Sequence, residues 1–147
     1  MARDALESIK PEFDRPYVLF GHSLGALVSF ELAKILSEES YPQPILLVLS
    51  SSTPKPNNAI VESSNMIETL IEKGWWMGEK QESIHESLLK DMRAYTSFIP
   101  ENFKTSCNFS VLIVTAQDDK SIPQNKLLSE WKHYFASSCD DVELKVL

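Results

Sequence analysis

Glycine, histidine and cysteine are all scarce in this chain. Of its 147 residues four are glycine, three are histidine and two are cysteine. Two cysteines, Cys107 and Cys139, are too few for a disulfide framework. No histidines and cysteines cluster closely enough to suggest a metal site. No glycine-rich phosphate loop occurs, and no cofactor is expected. Apolar runs are short, and none approaches the roughly 18 residues that a membrane span needs. The start, Met1-Ala2-Arg3-Asp4, has no apolar secretory stretch, so a cytoplasmic, reducing home is expected. Positive charge is also limited. Fourteen Lys and Arg face 21 Asp and Glu, for a net charge of -7, which argues against nucleic acid or an anionic membrane as the main partner. Asn108-Phe109-Ser110 matches the glycosylation sequon, a chance match in such a compartment.

What remains is an ordinary globular balance, 43% apolar and 24% charged, in a length that suits one domain with a real core. Ala2–Ile9 reads as a short helix before Pro11. Tyr17–Phe20 and Ile45–Leu49 are short apolar runs, expected as strands buried on both faces. Between them Leu24, Leu27, Val28, Leu32, Ile35 and Leu36 mark one helix. Strand, helix and strand with short links make a βαβ unit, so the strands should be parallel and the crossover right-handed. Phe109–Thr115 reads as a third strand, residues 125–137 as a helix and Val142–Leu147 as a fourth strand. Two helices, at about residues 59–73 and 82–99, interrupt the alternation. They predict a helical insertion at about residues 55–105 within a single α/β domain. Trp75, Trp76 and Met77 lie at the bend between them. Clustered aromatics there favour packing between the two helices; lining a channel or contacting a partner is the other reading.

The chemistry concentrates at Gly21-His22-Ser23-Leu24-Gly25. This G-x-S-x-G stands between a predicted strand and a predicted helix, the context in which a serine is lifted out of a sharp turn as a nucleophile. Side chains two residues to either side of such a turn would collide, so glycine is expected to be required at both Gly21 and Gly25. The following helix presents unpaired N–H groups at its start, and the Leu24 N–H is placed to donate to an oxyanion. His22 sits inside the turn and reads as structural.

A serine hydroxyl needs a base, and the base needs an acid that fixes its tautomer. On this architecture the acid leaves the end of a later strand and the histidine follows it. Asp118 and Asp119 both follow the third strand. His85 and His133 follow no strand end, so neither suits the role of base.

Phe20–Leu27, running on to Phe30-Glu31-Leu32-Ala33, resembles the type II thioesterases, α/β-hydrolases of fatty-acid, polyketide and nonribosomal-peptide synthesis. Ser50–Pro54, Leu88–Tyr95 and Asp118-Asp119-Lys120 followed by Trp131 resemble later parts of the same family, in order. The resemblance implies an α/β-hydrolase-type parallel sheet with a helical lid, Ser23 as nucleophile and Asp119 as triad acid. It also implies, as substrate and partner, an acyl group held as a thioester on the phosphopantetheine arm of an acyl or peptidyl carrier protein. In that setting Trp75, Trp76 and Met77 are candidates for the acyl channel.

The chain departs from the family in two places. The strands and the second oxyanion loop that precede the nucleophile strand in the family have no counterpart here. The family's histidine follows a last strand that is still running at Lys145-Val146-Leu147. The expectation is a partial domain of about 60% of a complete enzyme, judged by typical domain size. Two other functions fit parts of the pattern. Gly-His-Ser-Leu-Gly is also similar to acyltransferases of fatty-acid synthesis, although those place an acidic residue where Ala26 stands. A non-catalytic remnant that binds a partner is the third.

Overall fold

A computed structural model describes residues 1–55, 82–119, 122, 124–135 and 141–147. The chain divides into two compact units, Met1–Pro54 with Pro100–Leu147, and Lys55–Ile99. In the second unit the described element is the helix α3, Glu82–Ser97. The predicted helix at 59–73 and the Trp75-Trp76-Met77 bend lie outside the described residues.

The first unit alternates strand and helix. It contains α1 (Ala2–Ile9), a 3-10 turn at Lys10–Glu12, β1 (Val18–His22), α2 (Leu24–Glu38), β2 (Leu46–Ser50), β3 (Ser110–Thr115), α4 (Gln124–Phe135) and β4 (Val142–Val146). The four strands form one sheet in the order β1-β2-β3-β4, and every neighbouring pair is parallel. The register sets His22 beside Ser50, and Ser50 beside Val114. All strands therefore end on the same edge, which is where loops can gather functional groups.

This topology determines which face is covered. Strands laid down in sequential order by right-handed crossovers send α2 and α4, the connecting helices of this unit, to the same side. Burial follows suit. Leu19, Leu47, Leu49, Val111 and Ile113 are buried on one face, together with Ala26, Leu27, Phe30 and Ala33 of α2 and Leu127, Trp131 and Phe135 of α4. Phe30 is the hub, with ring centroids 5.4 Å from both Trp131 and Phe135 and 5.5 Å from Phe103. Such edge-on and tilted contacts add to the burial of their large apolar areas.

On the opposite face Val18 is 49% and Phe20 65% exposed, and Leu46, Val48, Leu112 and Val114 are half-buried. The strands thus alternate between a covered and an open face, instead of being buried on both faces as their unbroken apolar runs predict. A short apolar run records strand propensity and leaves open how many faces are covered.

Around this core, α1 buries Leu6 and is tied to the end of α2 by a forked Arg3–Glu39 ion pair. Lys34, nearly buried on α2, reaches Glu101 at 3.1 Å and Glu31 at 3.4 Å. At the other end of the sheet Tyr17 donates to the Pro42 carbonyl, and burial pushes its phenol up to about 12. Cys107 is buried and disulfide-bonded, so the low cysteine count excludes a framework without implying free thiols.

Candidate active site

The junction of β1 and α2 is a turn of one residue. β1 ends at His22, α2 begins at Leu24, and Ser23 between them has φ 54° and ψ -121°. Positive φ is costly for a residue with a Cβ and persists where the surroundings impose it. Here the surroundings are clear. The Ser23 N–H donates to the Ser50 carbonyl at 2.9 Å and the Ser23 carbonyl accepts from the Ala26 N–H at 3.0 Å. The turn is locked to β2 on one side and to the helix on the other. Ser23 is exposed, and although it occupies the N-cap its hydroxyl makes no capping bond. That is unusual for a serine in this position, whose oxygen ordinarily accepts from the first helical turn. The hydroxyl is left available at the sheet edge.

The two flanking glycines are not equivalent. A Cβ at Gly21 would lie 2.1 Å from the Gly25 carbonyl oxygen and 2.6 Å from the Ala26 Cα, contacts that no side chain can make. At Gly25 a Cβ would meet nothing within 4 Å. The expectation that both must be glycine therefore holds only for Gly21. The turn is tight because strand backbone and helix backbone approach at position 21; the Cβ direction at position 25 points away from that approach.

Leu24 opens α2, so its N–H has no intrahelical partner. His22 is exposed at the end of β1, with Nδ1 3.1 Å from the Ser50 hydroxyl. This cross-strand contact agrees with a structural role. Ser51, next after Ser50, also has positive φ, 47°, and its N–H donates to Val114 at 2.9 Å. Ser52 is buried, and its carbonyl accepts from the indole N–H of Trp131 at 2.9 Å, which ties α4 to the loop beside the elbow.

The loop that carries Asp118 and Asp119 leaves β3 two strands away. With strands about 4.8 Å apart, the ends of β1 and β3 are separated by about 10 Å. Asp118 is exposed and Asp119 half-buried. The Asp119 N–H donates to Ala116 at 3.2 Å, and its carbonyl accepts from Ile122 at 3.5 Å. Gln117 donates to Leu147 at 2.7 Å, holding the loop to the end of β4. The side-chain amide of Gln124 reaches back from the first residue of α4 to the carbonyls of Ala116 (2.7 Å) and Gln117 (2.9 Å). Sequence reasoning missed Gln124. A side chain that meets backbone eight residues earlier leaves no periodic or compositional signal.

His133 is the tenth residue of α4, which starts at that loop and runs back under the sheet. At 1.5 Å per residue it stands about 14 Å along the helix from that edge, with its ring against Tyr134. It is not brought to Ser23. The side chain of His85 lies outside the described residues. Among the described residues no group of three or more potential metal ligands occurs, and no helix is long and apolar enough to cross a membrane.

Comparison with known proteins places this geometry. The thioesterase domain family matches residues 1–131. The linear gramicidin dehydrogenase of Brevibacillus parabrevis is 35% identical over 105 residues, covering 64% of this chain and 40% of that protein. The human medium-chain S-acyl fatty acid synthase thioesterase is 44% identical over 46 residues, 31% of this chain and 17% of that one. Among solved structures, a type II thioesterase from the yersiniabactin NRPS/PKS biosynthetic pathway superposes with a TM-score of 0.74 at 19% identity, over 99% of this chain and 63% of its own. The chain thus spans less than two thirds of these relatives, and its four-stranded parallel sheet is of the α/β-hydrolase type.

Proposed function

The chain belongs to the thioesterase domain family, and from that premise we propose that it carries the nucleophile and acid of an enzyme hydrolysing acyl thioesters held on an acyl or peptidyl carrier protein. The observation that carries the reading is Ser23, held at φ 54° between strand and helix with a hydroxyl that the helix does not use. Its Oγ attacks the thioester carbonyl, and the Leu24 N–H donates to the oxyanion that forms. The carbon–sulfur bond breaks, the thiol of the phosphopantetheine arm leaves with a proton, and an acyl ester remains on Ser23. Water then attacks that ester, releasing the free acid and restoring the hydroxyl.

Asp119 is the better acid of the pair. It is half-buried and built into the turn, whereas Asp118 is exposed. The gap of about 10 Å between the ends of β1 and β3 is too wide for direct contact and suits an imidazole between the two groups. His22 is engaged with Ser50 and His133 stands far down α4. His85 follows no strand end, the place expected for the base, so we assign the base to a histidine outside these 147 residues.

The test uses the chain with an acyl N-acetylcysteamine thioester, with and without added imidazole as a diffusible base. Slow hydrolysis, accelerated by imidazole and lost in Ser23→Ala, supports the proposal. Robust turnover without imidazole contradicts the assignment of the base, and its loss in His85→Ala or His133→Ala would reassign the base to that residue. Transfer of the acyl group to an added alcohol, with no free acid formed, would instead indicate an acyltransferase. A cytoplasmic location belongs to the same reading. Disulfides are uncommon there, and the Cys107 bond counts against it; thiol labelling with and without reductant, on protein taken directly from cells, decides, since Cys107 found reduced supports that location and a persistent bond contradicts it.

A further inference from the structure

We infer that Gln124 is a positioning residue for the acid loop, its side-chain amide setting the direction in which Asp119 leaves the end of β3. This rests on the reading of Asp119 as the acid.

The argument starts from the backbone. Ala116–Asp119 is a short turn of three peptide planes; the last, 118–119, is held by the Asp119 N–H on the Ala116 carbonyl, and the aim of the Asp119 side chain then depends on the first two, 116–117 and 117–118. The carbonyl oxygens of Ala116 and Gln117 mark those planes. Gln124 Nε2 is 2.7 Å from the first and 2.9 Å from the second. An amide nitrogen has two hydrogens and its oxygen has none, so only one orientation of the Gln124 amide is favourable, with one hydrogen on each carbonyl. Both planes are thereby fixed by one group.

That group stands on a rigid base. Gln124 is the first residue of α4, and Leu127, Trp131 and Phe135 on the same helix are fully buried. Trp131 also donates to Ser52, in the loop that follows β2. Since Ser50 accepts the Ser23 N–H, α4 is tied both to the strand that holds the nucleophile turn and, through Gln124, to the acid loop. Among the described residues the backbone hydrogen bonds of the loop, Gln117 N–H to Leu147, Asp119 N–H to Ala116 and Ile122 N–H to Asp119, each engage a single carbonyl.

The experiment measures amide hydrogen exchange at Gln117 and Asp119, together with the imidazole-assisted hydrolysis of the thioester, in the wild type, Gln124→Ala and Gln124→Glu. Protection at the two amides should fall about tenfold in Gln124→Ala, with the amides of α4 still protected to show that the helix remains. In Gln124→Glu a carboxylate faces two carbonyls near neutral pH, and protection should fall as far. At pH 4, where a protonated carboxyl can donate one hydrogen, part of it should return. The imidazole-assisted rate should fall about tenfold in Gln124→Ala while KM and the imidazole-free rate stay unchanged. Unchanged protection overturns the clamp. Lowered protection with an unchanged imidazole-assisted rate overturns the positioning role. If imidazole fails to accelerate even the wild type, the reading of Asp119 as acid fails and the positioning role fails with it, while the exchange data still decide whether the clamp exists.

Discussion

The ends of β1 and β3, with β2 between them, are shaped by different means. The end of β1 is a one-residue turn whose shape is dictated by backbone against backbone: Gly21 meets Gly25 and Ala26, and Ser23 is pinned to Ser50. The end of β3 is a longer turn whose shape is held from outside, by Gln124 and by the end of β4. Ser23, the proposed nucleophile, is thus fixed by local sterics, and the loop of Asp119, the proposed acid, by a long-range scaffold. A group that must emerge at a strained angle benefits from the first arrangement. A group that must orient a third residue tolerates the second, provided that its scaffold is rigid.

Substitutions can break or sharpen this contrast. The largest effect is expected at the acid loop. A triad acid is worth about 10^4 in rate, and with diffusible imidazole Asp119→Asn should still lower the assisted rate by about a hundredfold or more. Asp118→Asn should change it by less than about threefold, and the reverse order of effects would reassign the acid. Next comes Gly21→Ala. With a Cβ placed 2.1 Å from a carbonyl oxygen, it should destabilise the fold by about 3 kcal/mol or more, read from urea unfolding, and a mild effect would show that the elbow relaxes easily.

Thr115 probes the root of the acid loop. It is 1% exposed and its hydroxyl has no hydrogen-bond partner. Thr115→Val removes that unsatisfied oxygen at nearly constant volume and should raise stability by about 1 kcal/mol. A loss would mean that the hydroxyl is satisfied in solution. The smallest effect belongs to Gly25→Ala. Nothing lies near its Cβ position, and alanine favours the helix, so stability should rise by about 0.5 kcal/mol. Lost stability there would restore the symmetrical view of the two glycines.

The same contrast explains what was legible in the sequence. The elbow was readable because its constraint is local: a strand, G-x-S-x-G and a helix lie within some twenty residues, and helix α2 begins at Leu24 as its apolar spacing predicts. The direction of the strands followed from the βαβ pattern, and so did the place of Asp118 and Asp119 in the loop after β3. The open face was not readable, because the unbroken apolar runs at Tyr17–Phe20 and Ile45–Leu49 look alike whether one face is covered or two. Nor was the asymmetry of Gly21 and Gly25, which depends on the direction of one Cα–Cβ vector in three dimensions. Gln124 was invisible for the reason that makes it useful, since it acts on carbonyls and these have no sequence identity.

The central claim, that Ser23 is a nucleophile raised by the β1–α2 turn, is tested most directly by fluorophosphonate labelling in the presence of imidazole, followed by peptide mass analysis of protein first shown to be folded by circular dichroism. The account predicts one phosphonyl adduct on the peptide holding Ser23 and none in Ser23→Ala. Folded protein that stays unmodified at Ser23, or takes up the label equally in the variant, would contradict it.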